Sequence, residues 1–164
     1  MEQGGSTRIH RAMSFVVKNG DLFANVKSGF IMHGCNAQGV MGSGVAAIIR
    51  RMYPQAYEVY AEQKPYYILG EVIPAQVTDD LVIINAITQE FFGTDRVHAD
   101  YDAIRQALRG AVHVVNSGIF SGPKELHMPF IGAGLAGGDQ DLIVGIMGEE
   151  LTSADITATL WIYP

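Results

Sequence analysis

Apolar residues recur along the chain in two patterns. In some stretches they form short runs rich in Val and Ile, which is typical of β-strands, and in others they return every three or four positions, which is typical of helices. The first pattern predicts strands over 14–18, 29–35, 70–77, 81–87, 125–131 and 156–163, and the second predicts helices over 45–53, 54–63, 98–117 and 139–151. Because strands and helices alternate, we expect an α/β fold with helices on both faces of a largely parallel or mixed sheet.

The length and composition describe one ordinary globular domain. Residues 1–12 show no apolar period and are predicted to be a flexible leader, followed by a single domain over 13–164. No apolar run approaches the roughly 20 residues of a membrane helix, and no secretory signal pattern opens the chain. Cys35 is the only cysteine, which excludes an internal disulfide and favours the cytoplasm. The net charge of −6 without a basic run disfavours strong nucleic-acid binding.

Two glycine-rich loops each lie between a predicted strand and a predicted helix. They are GVMGSG at 39–44 and GAGLAGG at 132–138. This arrangement gathers bare backbone N–H groups around an anion, because glycine turns freely and lets a ligand come close. Glycines in ordinary turns are the alternative for either loop alone. The pair predicts that one extended, phosphate-bearing ligand is held from both sides.

Other phosphate and metal motifs fit the sequence poorly. The second loop matches G-x-G-x-x-G, but a dinucleotide-binding unit needs an acidic residue at the end of the next strand, and that strand runs to Pro164 without one. A C-x5-R phosphatase would need arginine where Met41 stands, so Cys35 is better explained as a small buried thiol. The sequence has no P-loop lysine and no close-spaced metal-ligand set. We therefore expect no metal and no cofactor.

Four polar residues near the loops have both a structural and a chemical interpretation. Asn36 could cap the turn before the first loop or present its amide to ribose hydroxyls. Asp21 could be an ordinary turn residue or accept from an adenine amine. Asp139 could cap the last predicted helix or act as a general base at the second loop. His33 enters the first loop on a strand, whereas the remaining histidines are expected at surface or packing positions: His10, His98, His113 and His127.

Five segments together resemble the macrodomain family. They are GDLF at 20–23, HGCNAQGVMGSGVA at 33–46, YPQAYEVY at 53–60, INAITQ at 84–89 and MPFIGAGLAGGD at 128–139. The resemblance is strongest to the small ADP-ribose 1''-phosphate phosphatase branch of phages and bacteria, which is related to terminal ADP-ribose glycohydrolase. It implies a three-layer α/β/α macrodomain with a mixed, roughly six-stranded sheet that holds ADP-ribose over the strand ends.

The resemblance also implies roles for individual residues. Asp21, with Leu22 beside it, would bind the adenine amine, and Asn36 would meet the distal ribose. Phe91 or Phe92 would flank a ring of the ligand. Catalysis would rest on Asp139, His33 and Asn36. The two loops would surround the distal ribose and diphosphate through Gly39, Val40, Met41, Gly42, Ser43, Gly44 and Val45 on one side, and through Gly132, Ala133, Gly134, Leu135, Ala136, Gly137 and Gly138 on the other.

Two departures from the glycohydrolase relatives narrow the predicted function. Those relatives carry a lysine near the position of Gln89 and an aspartate where this chain has Ala136. The predicted function is therefore hydrolysis of the terminal phosphate of ADP-ribose 1''-phosphate by a monomer. A non-catalytic ADP-ribose reader is the alternative, and removal of ADP-ribose from protein or nucleic acid is disfavoured.

Overall fold

A six-stranded mixed sheet forms the centre of the molecule. The computed structural model describes residues 15–133 and 136–164. Its strands are β1 (Phe15–Asn19), β2 (Gly29–Asn36), β3 (Val72–Thr78), β4 (Leu81–Gln89), β5 (Glu125–Met128) and β6 (Thr157–Ile162). They are ordered β1-β6-β5-β2-β4-β3, and every neighbouring pair is parallel except β3–β4. The predicted mixed sheet is thus confirmed.

Helices cover both faces of this sheet. They are α1 (Leu22–Asn25), α2 (Gly44–Met52), α3 (Pro54–Ala61), α4 (Tyr101–Asn116) and α5 (Gln140–Leu151). Successive residues of a strand point to opposite faces. Accordingly, Phe30 of β2 packs in one core with residues of α4 and α5, and Ile31 packs in another with residues of α1, α2 and α3. This arrangement confirms the three-layer α/β/α fold.

The observed element boundaries differ from the predicted ones where local chemistry intervenes. β5 ends at Met128 rather than at 131, because Pro129 has no N–H to donate to the sheet. The longest helix begins at Tyr101 rather than at 98, since the Asp100 side chain accepts from Ala103 N at 2.9 Å and caps it there. The short α1 was not predicted, because four residues are too few to show a helical period.

The parallel strands place their connecting loops on one edge of the sheet. β2, β4 and β5 all end there, so the segments after Asn36, Gln89 and Met128 come together. The predicted leader at 1–12 and the loop residues Gly134 and Leu135 lie outside the described residues. Among the helices of the described ranges, none is long and apolar enough to cross a membrane.

Candidate functional site

A cleft of about 470 Å³ opens between the two glycine loops. It lies at the carboxyl ends of β2, β4 and β5, where α/β proteins commonly bind their ligands. Apolar and backbone groups predominate in its lining, which consists of Gly34, Cys35, Asn36, Val40, Gly42, Ser43, Gly44, Val45, Ala46, Gln89, Phe92, Gly93, Pro129, Phe130, Ile131, Gly132 and Ala136. Both predicted loops therefore contribute to one cavity.

The Asn36 side chain organises the first loop from within. Its Oδ1 accepts from Gln38 N at 3.0 Å and from Val40 N at 3.3 Å, and its Nδ2 donates to Val40 O at 2.8 Å. Of the two interpretations of Asn36, the structure shows the turn-capping one directly. Because Asn36 also lines the cleft, contact with a ligand is compatible with this role.

Tyr60 supports the same loop from below, a role that was not predicted for it. Its ring on α3 is fully buried, and its hydroxyl lies 2.6 Å from Asn36 O and 3.1 Å from Gly39 N. Burial raises the pKa of this phenol, so the hydroxyl keeps its proton. In the sequence, Tyr60 is one more apolar position of a helix, and only the fold brings it to the loop.

The second loop keeps its shape through close backbone approach. Gly132 has φ +78°, a conformation that favours glycine, and its carbonyl accepts from Gly138 N at 2.7 Å. The segment before α4 fastens the loop from outside, since His98 N donates to Ala136 O at 2.8 Å. Among the described residues of this loop, side chains contribute fewer hydrogen bonds than in the first loop.

The beginning of α2 faces the cleft with its backbone donors available. Ser43 is the N-cap residue and makes no side-chain capping bond, and the first turn carries no acidic residue. The first N–H groups of any helix have no partner inside it. In α2 these groups belong to Gly44, Val45 and Ala46, which all line the cleft. They suit an anion.

His33 does not lie where a catalytic residue is needed. It is fully buried on the side of β2 opposite to Gly34, and its Nε2 is 2.7 Å from Asn85 Oδ1. Asn85 in turn donates to Ala56 O and Ile73 O, so the group ties β4 to α3 and β3. Burial lowers the pKa of His33 to about 4. The structure makes His33 a buried, neutral structural residue, which corrects its predicted catalytic placement.

Cys35 beside it is equally unsuited to act as a nucleophile. Its thiol is buried and lies 3.5 Å from His33 Nε2. Burial raises the pKa of the thiol well above its usual range, so no thiolate forms near neutral pH. This agrees with the interpretation of Cys35 as a buried thiol.

Asp139 and Asp21 each cap a helix, outside the cleft lining. Asp139 Oδ1 accepts from Leu142 N at 3.0 Å at the start of α5, and the side chain is exposed. It follows Gly138 directly and therefore stands at the edge of the second loop. Asp21 Oδ1 accepts from Phe23 N at 3.0 Å at the start of α1. Asp21 follows the edge strand β1, which ends at Asn19. This strand lies three strands from β2, about 14 Å away at ~4.8 Å per strand.

Several predicted contact residues point elsewhere. The Met41 side chain is buried in a core cluster with Cys35 and Tyr60 and is not part of the cleft lining. Leu22 is likewise buried in the core below α1. Four more predicted residues are outside the cleft lining among the described residues: Gly39, Ala133, Gly137 and Gly138.

The structure also separates the two phenylalanines. Phe92 lines the cleft, whereas the ring of Phe91 faces the Arg96 guanidinium at 5.7 Å. Gln89, the last residue of β4, also lines the cleft, and its Nε2 donates to Phe91 O at 2.7 Å. A neutral amide thus stands where the resemblance to the glycohydrolases implies a lysine.

Sequence relatives of the chain carry one name repeatedly. No family model matches the chain. A Debaryomyces hansenii protein named ADP-ribose 1''-phosphate phosphatase is 26% identical over 149 residues, which are 71% of this chain and 82% of that protein. A Scheffersomyces stipitis protein of the same name is 40% identical over 55 residues. In the matches to this protein and to its Meyerozyma guilliermondii counterpart, the chain spans only 32% and 26% of the relatives' length.

Solved structures with the same architecture extend over nearly the whole chain. A protein of unknown function from Bacteroides thetaiotaomicron is 30% identical, with a TM-score of 0.80 over 92% of this chain and 99% of that one. A macrodomain protein from Streptomyces coelicolor is 27% identical, with a TM-score of 0.71 over 90% and 97%. Thermosipho africanus DarTG, solved in complex with ADP-ribose, shares the fold at 20% identity, with a TM-score of 0.76 over 91% and 41%.

Fold and cleft together define an α/β domain built to hold a ligand over the ends of its parallel strands. The Streptomyces coelicolor structure identifies this class of domain as a macrodomain. The chain has the macrodomain fold.

Proposed function

We propose that this protein binds ADP-ribose and hydrolyses the terminal phosphate of ADP-ribose 1''-phosphate. The observation that carries the proposal is the cleft between the two glycine loops, with backbone donors at one end and Phe92 beside it. Relatives named ADP-ribose 1''-phosphate phosphatase support the reaction, and the ADP-ribose complex of a structural neighbour supports the ligand.

The ligand would lie along the carboxyl edge of the sheet. Asp21 just after β1 would accept from the adenine amine, and the diphosphate would sit on the first turn of α2 at Gly44 and Val45. A helix N-terminus favours negative charge, which lets a protein of net charge −6 bind an anion locally. The distal ribose would then reach Asn36 and the second loop.

Asp139 is the group that we assign to the hydrolytic step. Its Oδ1 serves the helix cap, and its other carboxylate oxygen would orient a water at the loop edge. The water oxygen forms a bond to phosphorus as the bond from phosphorus to the 1'' oxygen breaks. The water loses a proton and the leaving oxygen gains one, which gives ADP-ribose and inorganic phosphate.

Replacing the carboxylate tests this assignment. Asp139→Asn keeps a capping side chain but removes the base, so phosphate release should fall by roughly 10² to 10⁴ while ADP-ribose still binds. Asp141→Asn is the matched control, since Asp141 lies in the same first turn without capping it. Phosphate release by Asp139→Asn at the wild-type rate would contradict the role of Asp139.

A non-catalytic ADP-ribose reader is the second candidate. The buried position of His33 favours it, because only one of the predicted acid–base groups then stands near the cleft. The purified protein is incubated with ADP-ribose 1''-phosphate, ADP-ribosylated protein and ADP-ribosylated DNA. Phosphate release supports the phosphatase, binding without any product supports the reader, and free ADP-ribose from a macromolecule identifies a glycohydrolase despite Gln89.

The proposal includes a cellular setting. The phosphatase would act as a cytoplasmic monomer of the phage and bacterial branch, without strong nucleic-acid binding. The acidic net charge supports the last point.

A further inference from the structure

The hydroxyl of Tyr60 sits at the centre of the hydrogen bonds below the first glycine loop. It lies 2.6 Å from Asn36 O and 2.9 Å from Asn36 Oδ1, and it accepts from Gly39 N at 3.1 Å. One side chain of α3 thus contacts the loop where it leaves β2 and where it turns.

The hydrogen bonds of the Asn36 side chain show which way its amide faces. A backbone N–H can only donate and a carbonyl can only accept, so the bonds from Gln38 N and Val40 N identify Oδ1, and the bond to Val40 O identifies Nδ2. The Tyr60 hydroxyl also faces this oxygen, with its single hydrogen shared between Asn36 O at 2.6 Å and Asn36 Oδ1 at 2.9 Å. The second hydrogen of Nδ2 has no hydrogen-bond partner in the described part of the chain, and Asn36 lines the cleft.

We propose that Tyr60 is a positioning residue that holds the Asn36 amide so that it offers a donor, and not an acceptor, to the bound molecule. The inference rests on the proposed function for the identity of that molecule. Asn36 would then contact an oxygen with a free lone pair, either a ribose hydroxyl or a phosphate oxygen of ADP-ribose.

The surroundings of Tyr60 suit such a role. The Tyr67 hydroxyl donates to Tyr60 O at 2.7 Å, and the two rings lie 5.0 Å apart. The ring packs with Cys35, Met41 and Ile73 in a buried cluster. A fixed ring gives the hydroxyl a fixed position, and Tyr60→Phe removes that hydroxyl while keeping the ring.

The first test uses the free protein. In nuclear magnetic resonance spectra, Tyr60→Phe should shift the Gly39 amide and the Asn36 side-chain amide. Tyr57→Phe should shift neither of them, because the Tyr57 ring lies 6.4 Å from that of Tyr60 and faces Arg50 instead. Unchanged Gly39 and Asn36 signals in a folded Tyr60→Phe protein would overturn the proposal, whether or not ADP-ribose binds.

The second test asks whether Tyr60 acts through Asn36. Tyr60→Phe should weaken ADP-ribose binding about tenfold in calorimetry, which corresponds to about 1.4 kcal/mol. In a protein that already carries Asn36→Ala, the same change should cost little more, since the residue that Tyr60 positions is gone. Additive losses, or an unchanged affinity of Tyr60→Phe, would show that Tyr60 does not position Asn36.

The third test needs no variant and so does not depend on the folding of one. When ADP-ribose is added to the wild-type protein, one of the two Asn36 Nδ2 hydrogens should shift, and the one bonded to Val40 O should not. Saturation with ADP-ribose without any change at Nδ2 would contradict the proposal. Absence of ADP-ribose binding would instead refute the proposed function and leave the free-protein test decisive for Tyr60.

Discussion

The two glycine loops face the same cleft but keep their shapes by different means. In the first, side chains set the course of the backbone: Asn36 and Tyr60 bond to the loop at several points, and a buried polar group with His33 lies below. In the second, the backbone approaches itself, as in the bond from Gly138 N to Gly132 O. The first loop therefore depends mainly on hydrogen-bonding groups, with one glycine required at Gly39, and the described part of the second depends mainly on close approach at Gly132 and Gly138.

This difference predicts which changes disrupt the structure of each loop. A loop shaped by hydrogen bonds is sensitive to groups that gain or lose protons or donors, and it leaves room where its glycines face the cleft. A loop shaped by close approach is sensitive to added carbon atoms where its glycines touch other groups, as at Gly132 and Gly138. The predictions below separate these two kinds of failure.

The largest expected effect is a loss of folding stability at acid pH, which is caused by the buried His33 below the first loop. Its pKa is lowered to about 4 by burial, against about 6.5 in an unfolded chain. The unfolded chain thus takes up a proton at a higher pH than the folded protein does. The contribution of His33 to the free energy of unfolding should be fully present above about pH 6.5. The free energy of unfolding should then fall by about 3 kcal/mol as the pH drops to about 4.

Urea unfolding between these pH values measures the effect. His33→Gln, which keeps an N–H donor for Asn85, should flatten this part of the profile, and His113→Gln at an exposed position should not. His127 contributes a slope of the same sign in every variant, because burial lowers its pKa too. An equally steep profile in His33→Gln would contradict the assignment.

Gly42→Val should abolish binding without loosening the fold. A Cβ at Gly42 would meet only Val40 Cγ1, at 3.6 Å, so the protein itself has room for it. The added side chain would point into space that the ligand needs, and ADP-ribose affinity should fall at least about hundredfold, or about 2.7 kcal/mol. Calorimetry measures the affinity and urea unfolding the stability.

Gly145→Val is the matched control, since a Cβ there meets nothing within 4 Å and Gly145 lies in α5. If Gly42→Val lost stability instead of affinity, the first loop would be shaped by close packing after all.

The sequence predicts those features of the fold and the site that rest on local signals. The alternation of strands and helices, and both loops, were evident because hydrophobic period and glycine are local signals. The capping roles of Asp100 and Asp139 also leave a local mark before a helix. The role of Tyr60 could not be predicted, because the hydrogen-bond partners of its buried hydroxyl are brought together only by the fold.

His33 shows the opposite error. Its place just before the first loop made it a natural catalytic candidate. The alternation of side chains along β2 turns it away from the face of Gly34 and toward Asn85. A one-residue difference in position along a strand decides between the cleft and the core, and the sequence pattern of a fully buried strand does not show which face is which.

Gly132→Ala should destabilise the fold through the second loop. Its Cβ would lie 2.9 Å from Ile104 Cδ1 and 3.2 Å from Ala99 Cβ, at a φ of +78°. Gly118→Ala has nearly the same φ, +75°, but nothing within 4 Å, so it isolates the cost of the backbone conformation. We expect Gly132→Ala to cost about 2 kcal/mol in urea unfolding and Gly118→Ala about 1 kcal/mol. Equal losses would mean that close approach does not shape the second loop.

The smallest expected effect concerns Phe92, in the segment between the two loops. Phe92→Ala should weaken ADP-ribose binding about fivefold, or about 1 kcal/mol, because a ring that lines the cleft loses its contact with the bound molecule. Phe91→Ala is the control, since that ring faces Arg96. Both rings are about half exposed, so neither change should alter stability much. Calorimetry on the two variants decides which ring meets the ligand, and a larger loss in Phe91→Ala would show that this segment moves when ADP-ribose binds.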